Sequence, residues 1–349
     1  MNIDRRACAL AAGLATMLAA CARSTAPLEL PSAAAERAVA PALQASGSSH
    51  HLYVADPGTG AIYRYPLVEG LPSTSPDETF ALVPNVSRLG VDGEHNIYAA
   101  GSSRAGGFVQ KYSAAGELLG SIQLDVTIGS FAVDHDGYFY VAPNAYGNVA
   151  FTYSPQAFES TGGAQPIATL TASGGSSGLN AFISMAANSD GRLYAATYYG
   201  INVFDDPHQS SQQSATITAP QGKWEPVFNG AIGFDEVGRL YADLGYQDYC
   251  LKVCTGQYWR DTDFDWVEDG LTSKRKDNLI LAGDCAFKDS AYELPGTVTG
   301  LAVYDGYVEA ACYGDKTSVW VYKEDTFGRQ HALETLGHAT RPTDAKIGP

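Results

Sequence analysis

Basic residues are scarce in this chain: 22 Lys and Arg stand against 38 Asp and Glu, a formal charge of −16. A surface this acidic repels nucleic acid and anionic lipid, and no stretch supplies a basic groove. Helix signals are sparse as well. The apolar run Ala7–Ala20 has 14 residues, short of the roughly 20 that a helix needs to cross a bilayer. No cofactor motif appears. The letters "GGSSG", Gly174 to Gly178, match G-x-S-x-G, but a nucleophile elbow needs a strand before and a helix after it. Here the setting is a Gly/Ser loop. Seven His are scattered, and none has a convincing Ser and Asp partner.

What is present begins with an address. Arg5 and Arg6 precede the apolar run, the flanks of a secretory signal. The run ends Leu18-Ala19-Ala20-Cys21, which resembles the bacterial lipobox. That resemblance implies a signal peptide over residues 1–20 and a diacylglycerol on Cys21; the other reading is an ordinary signal peptide. Ala22 follows the cysteine, and by the family rule a residue other than Asp there implies the outer membrane. "DRRACAL" lacks the usual twin-arginine flanks. Residues 21–48, rich in Ala, Pro and Ser, read as a flexible tether. The lipid would then be the only membrane contact. Residues 49–349 read as the folded domain.

Hydrophobic residues make up 45% and charged residues 17%, the proportions of a well-buried globular core. Gly (37) and Tyr (21) are abundant, which suits many turns and strands. One outline recurs: apolar-x-apolar, Asp or Asn, a Gly turn, then apolar-Tyr-apolar-Ala. It begins at Arg88 ("RLGVDGEHNIYAAG"), Ser130, Ile183, Ala231 and Gly300, and its second half begins at His51. Tyr53, Tyr98, Tyr140, Tyr194 and Tyr241 hold one place, and the alignment puts Val308 there in the last copy. Each copy reads as a hairpin followed by a third and a fourth strand. Four strands every 40 to 50 residues make one propeller blade. A lone blade cannot bury both faces, whereas a ring of blades can. The expectation is therefore all-β, a six-bladed β-propeller of four-stranded antiparallel blades, ahead of a sandwich or β-helix. Two questions attach to it: the first copy lacks an innermost strand, and the tail after about Thr326 is either a closing strand or disordered. Asp92, Asp134, Asp235 and Asp305 stand where the first strand turns, and read as turn residues.

"FAVDHDGYFYVAP … NVAFTYS" and "IGFDEVGRLYADL" resemble NHL-type repeats and the gluconolactonase-like six-bladed propellers, over most of residues 50 to 325. That fold hosts binders, scaffolds and hydrolases, so the resemblance speaks for architecture more than for function. It implies a divalent metal in the channel held by Glu, Asn, Asn and Asp. Here Asn180 and Asn229 fall just before innermost strands, with Glu225 close by. The family's early Glu-Gly-Pro is missing, and "EGLP" at Glu69 lies in the wrong part of the blade.

The loop after the second strand carries Tyr146, Tyr198, Tyr199, Tyr246 and Tyr313, with Arg104 at that place in the second copy. A tyrosine rim suits sugar or peptide recognition, because each ring offers a flat apolar face and a polar edge. The same tyrosines could instead pack between blades. The fifth copy carries an insertion around residues 248–292 with Asp261, Asp263 and Asp265. D-x-D-x-D offers oxygens at alternate positions, as calcium loops do. However, Trp266 stands where Gly should turn the loop and Thr272 where the bidentate Glu should be. An acidic, displayed partner-binding loop is the other reading. Cys250, Cys254, Cys285 and Cys312 suggest two disulfides in an exported protein. Three pairings are possible, with Cys250–Cys254 and Cys285–Cys312 as two local staples. The functional expectation is a cell-envelope lipoprotein that binds an envelope protein, peptide or glycan without catalysis and without a cofactor. The alternatives are a metal-dependent lactonase-like hydrolase and an assembly scaffold.

Overall fold

The turns that punctuate the sequence also order the architecture. A computed structural model describes residues 50–143, 149–160, 163–172, 181–197, 200–218, 226–246, 263–267, 280–281, 297–313, 318–323 and 333–349. They form six antiparallel sheets. Sheet one holds β1 (His51–Asp56), β2 (Ala61–Val68), β3 (Leu71–Pro72) and β4 (Glu78–Leu82). Sheet two holds β5 (Val86–Val91), β6 (Ile97–Ser103), β7 (Gly106–Tyr112) and β8 (Leu118–Leu124). Sheet three holds β9 (Ile128–Val133), β10 (Phe139–Pro143), β11 (Val149–Tyr153) and β12 (Ala168–Thr171). Sheet four holds β13 (Ser184–Ala187), β14 (Leu193–Thr197), β15 (Gly200–Phe204) and β16 (Ala215–Thr218). Sheet five holds β17 (Pro226–Phe234), β18 (Leu240–Tyr246), β19 (Asp263–Val267) and β20 (Ile280–Leu281). Sheet six holds β21 (Thr297–Tyr304), β22 (Tyr307–Tyr313), β23 (Ser318–Lys323) and β24 (Glu334–Thr335). Last comes β25 (Asp344–Gly348), which pairs with β1 and supplies the innermost strand of sheet one. The innermost strand missing from the first copy is therefore the tail, 289 residues away at its Asp344–Ala55 pair.

The sheets close into a propeller because every gap between neighbours is filled with apolar side chains. Tyr53, Ile62 and Phe80 of sheet one pack on Leu89, Ile97 and Ala99 of sheet two. Tyr98 and Val109 meet Phe131 and Phe139. Tyr140 and Leu170 meet Met185 and Leu193, and Tyr194 and Ile201 meet Ile232 and Leu240. Tyr241 meets Leu301 and Tyr322. Finally, Ala302, Val319 and Val321 of sheet six meet Leu52, Val54 and Ala345 of sheet one. Each sheet thus covers both neighbours, which is why a single repeat could not fold alone.

The repeated turn is a local machine. Asp134 accepts hydrogen bonds from the backbone N–H of Asp136 and Tyr138, and Asn188 and Asp235 bind the matching N–H groups in their turns. Gly137, Gly191 and Gly238, with φ of 81° to 85°, supply the left-handed residue that such a turn requires. In sheet two that position is His95, at φ 67°. The tyrosine six residues on reaches back to the same acid: Tyr98 to Asp92 (3.0 Å), Tyr140 to Asp134 (2.7 Å) and Tyr241 to Asp235 (3.3 Å). In sheet one, the Tyr53 hydroxyl donates to the Pro349 backbone oxygen at 2.8 Å.

Register corrects one alignment. Tyr53, Tyr98, Tyr140, Tyr194 and Tyr241 face Lys346, Gly90, Ala132, Ala186 and Gly233 on their innermost strands. These partners and Ala302 lie at one level of the channel wall. Ala302 pairs with Glu309, so Glu309, not Val308, takes the place of the tyrosine in sheet six. The turn there is only Asp305-Gly306, two residues between strands, and the shorter turn moves the register by one.

Candidate functional site

The six innermost strands enclose an axial cavity of about 180 Å³. Leu89, Val91, Val133, Met185, Phe234 and Ile347 are among the residues that line it. At the middle level five sheets contribute Gly or Ala and the sixth contributes Lys346. Small residues are needed there because the strands crowd one another. A Cβ on Gly90 would lie 2.3 Å from Val133 Cγ2. Lys346 Nζ binds the Leu301 carbonyl (3.3 Å) and Asp344 Oδ1 (3.2 Å).

Arg88 lies one residue before the lining stretch of β5 and crosses the end of the channel. Its guanidinium donates to the carbonyls of Ser87 (3.2 Å), Gly129 (3.0 and 3.2 Å), Thr299 (3.4 Å) and Thr343 (3.2 Å). Those carbonyls belong to or adjoin sheets two, three, six and one, so one side chain ties four sheets. Burial lowers the Arg88 pKa, and the nearby Asp344 carboxylate opposes that shift. Asp344, only 3% exposed, accepts from Leu89 N (2.8 Å), Ala345 N (2.9 Å) and Lys346. Arg88, Asp344 and Lys346 were not singled out by sequence. Their only signal is a charge inside an otherwise apolar alternating strand, at "SRLGV" and "DAKIG".

The end closed by Arg88 is also where the second strands finish. Val86 pairs with Gly101, Pro226 with Tyr246 and Thr297 with Tyr313. Tyr246 and Tyr313 therefore end β18 and β22 on that face. Arg104 is exposed in the turn between β6 and β7. Tyr146, Tyr198 and Tyr199 lie outside the described residues, between β10 and β11 and between β14 and β15. Asn229 falls in β17 at a register shift between Phe228 and Ile232. Asn180, Glu225, Asp261, Cys21, Cys250, Cys254 and Cys285 are outside the described residues. Cys312 is fully buried between sheets five and six. Asp263 and Asp265 lie in β19, paired with Leu244 and Ala242. The insertion thus contributes the third strand of its sheet at a place where the spacing suggested a loop.

Among the described residues, no group of three or more His, Cys, Asp or Glu is placed to hold a metal ion. At the described end of the channel, Arg88 occupies backbone carbonyls, and Lys346 adds a second positive charge within it.

At the opposite end, two of the buried turn acids are matched to cations and a third to an imidazole. Asp92 meets Lys111 at 3.1 Å, Asp235 meets Arg239, and Asp134 meets His208 Nε2 at 2.7 Å. Burial would raise the Asp92 pKa, but hydrogen bonds from Asn96 and the Lys111 ammonium outweigh it and hold the carboxyl below its usual range.

No family model and no curated protein matches this chain. Among solved structures, a protein from Lactobacillus plantarum is 11% identical with a TM-score of 0.50, and the match covers 86% of this chain and 99% of that one. The β-propeller domain of Cps50 (Swd1) from Myceliophteria thermophila is 12% identical at 0.41, covering 75% and 90%. A calcium-binding protein, regucalcin, from Agrobacterium tumefaciens is 14% identical at 0.37, covering 58% and 67%. Similarity at this level is one of fold alone, and the fold is the β-propeller that the six sheets form.

Proposed function

We propose that this protein is a cell-envelope lipoprotein whose propeller binds a protein, peptide or glycan on the face closed by Arg88, without catalysis. The observation that carries the reading is register: Tyr246 and Tyr313 end second strands on that face, and Arg104 follows one there. The loops holding Tyr146, Tyr198 and Tyr199 follow the same strand in sheets three and four. Loops on a rigid scaffold are where recognition residues gather. Cys21 carries the lipid, anchoring the chain at the outer membrane, and the exported cysteines pair as Cys250–Cys254 and Cys285–Cys312. The chain is a relative of the NHL-repeat and gluconolactonase-like propellers.

The test is binding of the purified chain to envelope proteins and a glycan array. Replacing Tyr198, Tyr199 and Tyr313 by Ala should cut binding at least tenfold with an unchanged melting temperature. Retained binding would sink the rim reading.

A second reading is a metal-dependent lactonase-like hydrolase using Asn180, Glu225 and Asn229. The bulge at Asn229 on an innermost strand favours it. Lactone hydrolysis abolished by chelator and by Asn229→Ala would establish that reading over the first.

A further inference from the structure

We infer that the seam between sheets six and one is a proton-operated gate, held shut by an uncharged Glu309 carboxyl and loosened when that carboxyl gives its proton to water. The gate stands apart from the tyrosine rim and does not depend on it.

Register places the carboxyl. Five of the gaps between sheets hold a tyrosine at the middle level: Tyr53, Tyr98, Tyr140, Tyr194 and Tyr241. The gap between sheets six and one has Glu309 there instead, opposite Ala302. Its side chain faces across that gap. Ala311, two residues on, and Val321, its partner on β23, both pack with Leu52, Val54, Tyr65 and Ala345 of sheet one. Glu309 is fully buried, and among the described residues neither carboxyl oxygen has a hydrogen-bond partner.

The groups around it supply no counter-charge. Tyr63 and Tyr65 come from β2, Tyr304 from β21 and Tyr307 from β22 itself. Lys323 lies at the exposed end of β23. Lys346 of β25 is held by Asp344 and the Leu301 carbonyl. His50 stacks on Tyr304, with Nδ1 3.2 Å from its hydroxyl. Glu236, in the turn of sheet five, adds a repelling charge. A buried carboxylate without a cation is costly, so the closed seam selects the neutral acid.

The seam is also where the ring can part. β21 and β25 belong to different sheets, and each has a ladder partner on one side only. Leu301, Ala302 and Val303 of β21 and Lys346 and Ile347 of β25 line the axial cavity. Parting these two strands therefore wets Glu309 and opens a side entrance to the cavity. The closed seam keeps the proton, whereas a hydrated Glu309 releases it near pH 4.3. One proton released per opening makes opening about tenfold easier for each pH unit, from that value up to the raised value of the closed state.

The test is native-state hydrogen exchange on the full chain from pH 5 to 7.5, with each rate divided by that of an unstructured peptide of the same sequence. β21 and β25 report on the seam. β9 and β13, the innermost strands of sheets three and four, are the controls. Opening at β21 and β25 should rise about tenfold per pH unit, and at pH 7 these strands should be at least tenfold less protected than the controls. Glu309→Gln keeps the shape of the neutral acid and should abolish the slope. A flat wild-type profile at the seam would overturn the inference without any variant. Equal protection of seam and control strands would overturn it too, since only global unfolding would then free Glu309. A slope that persists in Glu309→Gln would assign the proton to another group, such as His50, and would end the proposal.

Discussion

At the residue scale, two buried acids behave in opposite ways because one has polar partners and the other, among the described residues, has none. Asp92 sits among Asn96, Tyr98 and Lys111 and stays ionised. Glu309 is fully buried with both carboxyl oxygens unpartnered among the described residues. Burial pushes its pKa well above the usual carboxylate range. The folded protein therefore holds a proton that the unfolded chain releases near pH 4.3. The stability tied to Glu309 is present in full below that pH and is lost as pH rises towards the raised native value. Glu309→Leu should remove this dependence and stabilise the fold by about 1–3 kcal/mol; urea melts across pH 4.5 to 8 for both proteins check it. A wild-type slope no steeper than the variant's would be inconsistent with an ionising Glu309. Among the turn tyrosines, burial first and the Asp134 carboxylate second raise the Tyr140 pKa far out of range. Its hydroxyl is therefore a fixed donor. Tyr140→Phe should cost about 1–2 kcal/mol, read from the denaturation midpoint, while Tyr63→Phe on a half-buried ring should cost far less.

At the element scale, the vulnerable piece is β25. It is short, it is paired on one side by β1, and it completes the ring against β21 and β5. Its fit to β21 requires Gly300, where a Cβ would lie 2.3 Å from Asp344 Cα. Gly300→Ala should force the two strands apart and cost about 1–3 kcal/mol. Hydrogen exchange should show the β1 amides losing protection first. Exchange accelerated evenly over all six sheets would mean that the seam is not a separate weak point. The insertion in sheet five makes a related point. Within it, Asp263–Val267 pair with β18 as the third strand of the sheet.

At the scale of the whole molecule, Arg88 does what no local contact can, joining carbonyls from four sheets around the axis. Arg88→Met should lower stability by about 2–4 kcal/mol, the range for losing charge-assisted hydrogen bonds and leaving carbonyls unpaired. Guanidinium denaturation should show a lower midpoint with an unchanged slope, since the same surface unfolds. A variant as stable as the parent would show that apolar packing between sheets alone closes the ring.

The blades were legible because their code is local. A turn acid, a left-handed glycine and a tyrosine six residues on lie within about ten residues of one another, and that spacing repeats whatever the tertiary setting. The strands following each hairpin were readable for the same reason, except β19, whose short run is hidden in acidic residues of an insertion. The channel was not legible. Arg88 meets Thr343 across 255 positions, and its neighbour Leu89 meets Asp344 across the same separation. No periodicity connects such pairs, because their meeting depends on six sheets closing a ring. The place of Glu309 was hidden as well, since a turn shortened to two residues moves a register that only strand pairing reveals. Local chemistry in the chain therefore determined the repeat and the blade. Ring closure decided which charges share the axis, because only closure brings the first and last strands into one sheet.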